Sequence, residues 1–207
     1  MSKTPAKTAW TLERTFPWIL TIGGAIGLFS SLALTYDKIK IAQNPNYIPN
    51  CNLNPVLACG SVIKTWQASA FGFPNSFIGI AGFAVVLTIG VSLLVGMDAK
   101  ALKKWFWWGL NIGALLGVIL ISWLFYQTVY RIHALCPYCM VVWTVTIPIF
   151  WYTTLYNLRQ KFIPTPARLK GFVAFIQKHH GDILILWYLI IIGLILNHFW
   201  YYWKTLI

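Results

Sequence analysis

Five long apolar runs alternate with short stretches that hold most of the charge. The first runs from about Pro17 to Thr35, with room for helix as far as Ala42. The second covers Asn75 to Met97, the third Trp105 to about Tyr130, the fourth Pro137 to about Tyr156 and the fifth Ile183 to Trp203. About 20 apolar residues carry a helix across a bilayer, and each run is near or above that length. Trp and Tyr collect at several ends (Trp105, Trp107, Trp108, Trp200 to Trp203), as they do where a helix meets the membrane interface. No internal repeat or low-complexity stretch interrupts this pattern. The expected architecture is an all-α membrane protein. A tail over 1–16 precedes four helices and their loops over 17–157, with an external loop at 43–74. A connector over 158–182, a fifth transmembrane helix over 183–203 and a short external tail over 204–207 follow.

Composition agrees. The 207 residues are 58% hydrophobic and only 10% charged, where a soluble domain carries about 25% charged residues. The formal charge of +12 does not indicate a nucleic-acid partner, because a basic footprint needs a soluble face to sit on. It serves better to orient the chain. With the N-terminus in the cytoplasm, Lys3, Lys7, Arg14, Lys100, Lys103, Lys104, Arg159, Lys161, Arg168, Lys170 and Lys178 lie inside, and Lys38, Lys40, Lys64, Arg131 and Lys204 lie outside. That bias favours N-in, C-out. The first run lacks a small-residue cleavage site after it, since Thr35-Tyr36-Asp37-Lys38 follows, and is read as a retained anchor rather than a signal peptide. The basic connector contains Pro164 and Pro166 and has room for a short amphipathic helix.

This orientation puts all four cysteines on one side of the membrane, the oxidising side. Cys51 and Cys59 fall in the loop between the first two helices; Cys136 and Cys139 fall where the chain re-enters as the fourth. In Cys136-Pro137-Tyr138-Cys139, residues three apart share a helix face. A C-x-x-C at a helix start sets its first sulfur near free N–H groups and the positive end of the dipole, which favours a thiolate. Pro137 suits the first helical turn. A structural zinc site is a competing reading, because zinc wants four ligands; such sites usually sit in small soluble modules, and no metal is expected. Cys51 and Cys59 could form a permanent disulfide closing a short loop, worth about 3 kcal/mol. A relay between the two pairs accounts for more, since thiol–disulfide exchange needs a thiolate that can reach a disulfide sulfur.

The run Cys51-Asn52-Leu53-Asn54-Pro55-Val56-Leu57-Ala58-Cys59-Gly60-Ser61-Val62, the stretch Phe71-Gly72-Phe73-Pro74-Asn75-Ser76 and Cys136-Pro137-Tyr138-Cys139-Met140 together resemble the vitamin K epoxide reductase family, especially its bacterial members. The resemblance covers roughly residues 15 to 158. The loop pair precedes the C-x-x-C, the reverse of the order in DsbB-type thiol oxidases. The resemblance implies a four-helix transmembrane bundle as catalytic core, here with a fifth helix added. It implies that a quinone (menaquinone, ubiquinone or vitamin K type) is reduced at Cys136 and Cys139, with Cys139 facing it. Cys136 would exchange with Cys59, and Cys51 would meet a thioredoxin-fold thiol partner. Asn75 matches a residue that hydrogen-bonds a quinone carbonyl, and Trp143 stands where the human enzyme has a Tyr on the other carbonyl. Ile63 and Thr65 lie in the segment that caps the pocket.

Each pocket residue has a plainer reading. Asn75 after Pro74 also suits a helix N-cap, Trp143 also suits aromatic packing, and His133 reads as an interfacial polar residue rather than a proton carrier. The reading that follows is a multi-pass enzyme of the inner or plasma membrane. It reduces a quinone with electrons from a separate DsbA-like protein and so supports disulfide bond formation. The resemblance places it with homologues lacking a fused thioredoxin domain. The alternatives are a vitamin K epoxide reductase in a recycling role and a non-enzymatic scaffold with structural disulfides. Transport has little support, because none of the apolar segments has a charge at its centre.

Overall fold

The computed structural model describes residues 7–164 and 167–205. Residues 1–6 of the expected tail, 165 and 166 of the connector and 206 and 207 at the end lie outside the described residues. Among the described residues there are eight α-helices: α1 (Lys7–Gln43), α2 (Cys59–Ile63), α3 (Ser76–Leu94), α4 (Lys104–Gln127), α5 (Pro137–Arg159), α6 (Lys170–Lys178), α7 (His180–His198) and α8 (Trp200–Trp203). Five of them are long and apolar enough to cross a membrane, so the chain is an all-α membrane protein. Helix α1 begins well before Pro17, the expected start of the first span. Pro17 is accommodated inside it. The fifth long helix ends at His198, and a separate short turn, α8, holds Trp200 to Trp203.

Helix α1 packs on α3 and α5, and α5 packs on α4. The α1–α3 contact is backbone to backbone. A Cβ on Gly24 would meet the Leu87 backbone nitrogen at 2.7 Å, and one on Gly90 would meet that of Thr21 at 2.6 Å. Small residues at a crossing let two membrane helices approach this closely. Away from the cysteines, a buried aromatic plug ties the bundle together. Phe16 stacks on Tyr156 with ring centroids 4.2 Å apart, and Trp107 stacks on Phe162 at 5.3 Å.

Helix α7 leans on α5 through long side chains. The α5 helix contains Pro148, which has no N–H to give to the carbonyl four residues back. That carbonyl belongs to Thr144, and the Tyr188 hydroxyl of α7 donates to it at 2.6 Å. Toward the other end, Trp151 Nε1 donates to the His180 carbonyl at 3.0 Å. Helix α6 is amphipathic, with Phe172 and Phe175, and Leu169 just before it, exposed.

Candidate functional site

The site forms at the end of the bundle where α1 stops, α3 starts and α5 starts. The Thr35 hydroxyl of α1 donates to that of Ser76 at 2.7 Å, which marks the common level. Between α4 and α5 the chain turns within a few residues. A π-helical turn over Thr128–Ile132 ends at His133, whose φ of 56° is left-handed. The His133 ring stacks on His198, with Nδ1 and Nε2 2.9 Å apart, so the end of α7 touches the lead-in to the C-x-x-C.

The external loop is held against this lead-in by backbone. Asn54 accepts from the Val56 and Leu57 N–H groups at 3.0 and 2.7 Å, the local turn that Asn before Pro favours. Leu57 and Leu135 then form a parallel bridge. Leu135 donates to the Val56 carbonyl at 2.7 Å and Ala58 donates to the Leu135 carbonyl at 2.9 Å. Cys136 follows Leu135 directly, and Cys59 lies two residues after Leu57. Asn52 Oδ1 accepts from Gly60 N–H at 2.8 Å, satisfying one of the open donors at the start of α2.

Cys51 and Cys59 are joined by a disulfide, while Cys136 and Cys139 are free thiols. Cys136 Sγ lies 3.2 Å from Cys59 Sγ, and both residues are fully buried. Cys136 precedes α5 in extended conformation, with Pro137 at the first helical position. Its sulfur makes no capping hydrogen bond of full geometry. Its thiol nonetheless lies below the ordinary range. The hydrogen bond from the Cys139 thiol is the largest cause, burial opposes it, and the backbone N–H groups of Cys139 and Tyr138 add to it. Such a sulfur is both a ready nucleophile and a good leaving group. Among the described residues no group of three or more His, Cys, Asp or Glu is arranged to hold a metal.

The pocket residues expected from the sequence divide. Ile63 is buried in the cluster that contains Cys51, Cys59 and Cys136 and against which Cys139 packs. Trp143, one turn beyond Cys139, is buried edge-to-face on Phe125 at 5.2 Å, in a cluster that also touches Cys139. Thr65 uses its hydroxyl on the Val62 carbonyl at 2.8 Å, closing the end of α2. Asn75 is not a side-chain N-cap: it has helical angles and makes no capping hydrogen bond. Its amide faces the preceding loop, donating to the Gln67 carbonyl at 2.7 Å and accepting from the Ala70 N–H at 3.1 Å.

One residue at the site is not expected from the motifs. Asp37, near the end of α1, is only 6% exposed, and Oδ2 lies 3.6 Å from Cys51 Sγ. The Tyr47 hydroxyl donates to Oδ1 at 3.2 Å. The Tyr47 phenol is pushed above its ordinary range, by burial first and then by this hydrogen bond. The available signal was a single carboxylate close to the cysteine end of an apolar run.

The family model described as "Vitamin K epoxide reductase family" matches residues 18–154, from the first long helix through most of α5 and including all four cysteines. No curated protein matches the chain.

Proposed function

The chain belongs to the vitamin K epoxide reductase family, and we propose that it is a thiol–quinone oxidoreductase that oxidises a thioredoxin-fold, DsbA-like protein and reduces a quinone. Membership alone gives the coarser statement, a membrane oxidoreductase of quinone or vitamin K epoxide type. The observation that carries the finer reading is the 3.2 Å approach of Cys136 Sγ to Cys59 Sγ of the loop disulfide. A purely structural loop disulfide gives no reason for a second, acidified thiol beside it.

The relay balances as follows. The Cys136 and Cys139 thiols give two electrons and two protons to a quinone, which leaves as hydroquinone, and their sulfurs become bonded. A reduced partner attacks Cys51, expelling Cys59 as thiolate; the partner's second thiol then attacks its own sulfur and expels Cys51. The partner departs as a disulfide. Cys59 attacks Cys136, and Cys139 leaves as thiolate. Cys51 then attacks Cys59, and Cys136 leaves. This restores the arrangement described above, with the loop pair oxidised and two electrons resident on the helix pair. Each exchange passes through a mixed disulfide. The N-in orientation puts the partner's site outside the inner or plasma membrane.

In this reading the quinone ring meets Cys139. Ile63 and Trp143 supply apolar walls, consistent with their burial beside it. Asn75 and Thr65 act by holding the segment after Cys59, and the amide of Asn75 has a second N–H for a quinone carbonyl.

The test is anaerobic quinone reduction by the purified protein with a reduced DsbA-like partner. Wild type should turn over, and Cys139→Ala should abolish activity with every thiol. Cys51→Ala should fail with the protein partner yet work with a small dithiol. Turnover by Cys139→Ala at the wild-type rate sinks the proposal.

A further inference from the structure

Asp37 is a buried carboxylate without a cation. Glu13, Asp98 and Asp182 are exposed, and only Asp37 of the four is buried. Among the described residues no salt bridge reaches it. The adjacent Lys38 sends its ammonium to the Ile63 carbonyl instead, at 2.7 Å. A buried carboxylate of this kind costs stability unless a charge or proton meets it. What meets it here is Tyr47 on one oxygen and the sulfur of Cys51 on the other. While Cys51 is in the disulfide it has no S–H, so the 3.6 Å separation is a contact. Once Cys51 is reduced, its thiol is placed to donate to Oδ2.

We propose that Asp37 is a catalytic residue, the base that takes the proton of Cys51 as the loop disulfide re-forms; this rests on the thiol–quinone relay proposed above. In that step the Cys59–Cys136 mixed disulfide is present and Cys51 is a thiol. The proton moves from Cys51 Sγ to Asp37 Oδ2. The sulfur lone pair forms the Cys51–Cys59 bond, the Cys59–Cys136 bond breaks, and its electron pair leaves on Cys136 as thiolate. No outside oxidant or reductant enters.

The geometry at the far end of the line suits this direction. Cys136 is the leaving group, and it remains 3.2 Å from Cys59 after the bond has gone. Asp37, Cys51, Cys59 and Cys136 therefore form a chain of successive contacts, with the base at one end and the departing thiolate at the other. Tyr47 holds Oδ1 and leaves Oδ2 toward the sulfur. A pocket of about 370 Å³ opens beside the carboxylate, bordered by the apolar Phe29 and Leu32 as well as by Tyr47, Asn50 and Tyr138.

The experiment is a single turnover. Fully reduced protein, freed of reductant, is mixed anaerobically with excess short-chain ubiquinone analogue. Quinone loss is followed, and samples are quenched with alkylating agent to map the disulfides. Wild type should consume two quinones per chain, the first from Cys136 and Cys139 and the second after the loop has delivered its electrons. Asp37→Asn, which keeps the size and the Tyr47 hydrogen bond, should consume the first quinone. It should then stall, with the second slowed about tenfold or more and the Cys59–Cys136 link as the dominant trapped species. Asp37→Glu should recover the second phase. A second phase equally fast in Asp37→Asn, or a slow one without the Cys59–Cys136 link, overturns the assignment. If Asp37→Asn shows neither phase, Asp37→Glu decides: both phases support the base, and loss of the second alone overturns it. A wild type that stops at one quinone removes the relay itself, which is a different failure from equal rates in the two proteins.

Discussion

Leu57 and Leu135 lie side by side in a parallel bridge although 78 positions separate them in the chain, and this pairing is what brings Cys59 to Cys136. The bridge is made of backbone, so it aligns the two strands without regard to which side chains they carry. Its two hydrogen bonds use the Leu135 N–H and the Ala58 N–H.

Removing one of those donors should uncouple the pairs. Ala58 has φ of −140°, so Ala58→Pro both deletes the N–H and forces φ toward about −65°. In a chain also carrying Cys51→Ala and Cys139→Ala, mild oxidation should close a Cys59–Cys136 disulfide readily. Adding Ala58→Pro should cut the initial rate of closure about tenfold, read by gel shift after thiol labelling. An unchanged rate means the register is held by something other than the bridge.

Part of this arrangement is legible in the sequence and part is not. The five apolar runs suffice for the spans, because length and hydropathy are local properties of a chain. The common end shared by the cysteines follows from counting crossings. The contact of Asp37 with Cys51 does not follow, since it joins a helix end to a loop 14 residues on and depends on how that loop folds back. The amide of Asn75 likewise turned to the loop before it. From the sequence, a residue after Pro at a helix start looks like a cap; in the fold, helical angles at Asn75 take the side chain out of capping position. The amide instead serves the backbone of Gln67 and Ala70. Trp143 kept the face it shares with Cys139 because that depends only on helical period.

The acidity of Cys136 can be read directly. In the form with the loop disulfide closed, the ultraviolet thiolate absorbance of wild type minus Cys136→Ser should titrate below the ordinary thiol range of about 8.5. Because the first cause is the Cys139 thiol, Cys139→Ala should move the midpoint up. The sign carries to stability. A thiol whose folded value is depressed stabilises the fold fully above its unfolded value, and that contribution is lost as pH falls through the folded value. Wild type should therefore lose more thermal stability than Cys136→Ser between pH 9 and neutrality, the region of about 8.5 being where an unfolded thiol titrates. A wild-type midpoint at or above the ordinary range contradicts the geometry assigned to Cys136.

The docking of α7 on α5 rests on a carbonyl that Pro148 leaves open. In water such a group would find solvent, but a helix facing lipid has none, and an unmet carbonyl there is costly. Tyr188 meets the Thr144 carbonyl at 2.6 Å. Two substitutions separate this account from simple loss of an aromatic contact. Tyr188→Phe keeps the ring and removes the donor, so it should destabilise the protein by about 0.5–1.5 kcal/mol. Pro148→Ala restores the N–H that an uninterrupted helix directs at Thr144, so the carbonyl no longer depends on α7. The two effects should therefore fail to add: in the Pro148→Ala background, Tyr188→Phe should cost almost nothing. Such coupling between neighbours is what a double-mutant cycle isolates. Reversible unfolding in detergent micelles supplies the four free energies. Equal costs of Tyr188→Phe in the two backgrounds, within about 0.3 kcal/mol, show that the hydroxyl and the proline act independently. The attachment of the fifth helix would then rest on the packing of Trp187, Ile191, Ile195 and Phe199 in the apolar cluster around Trp143.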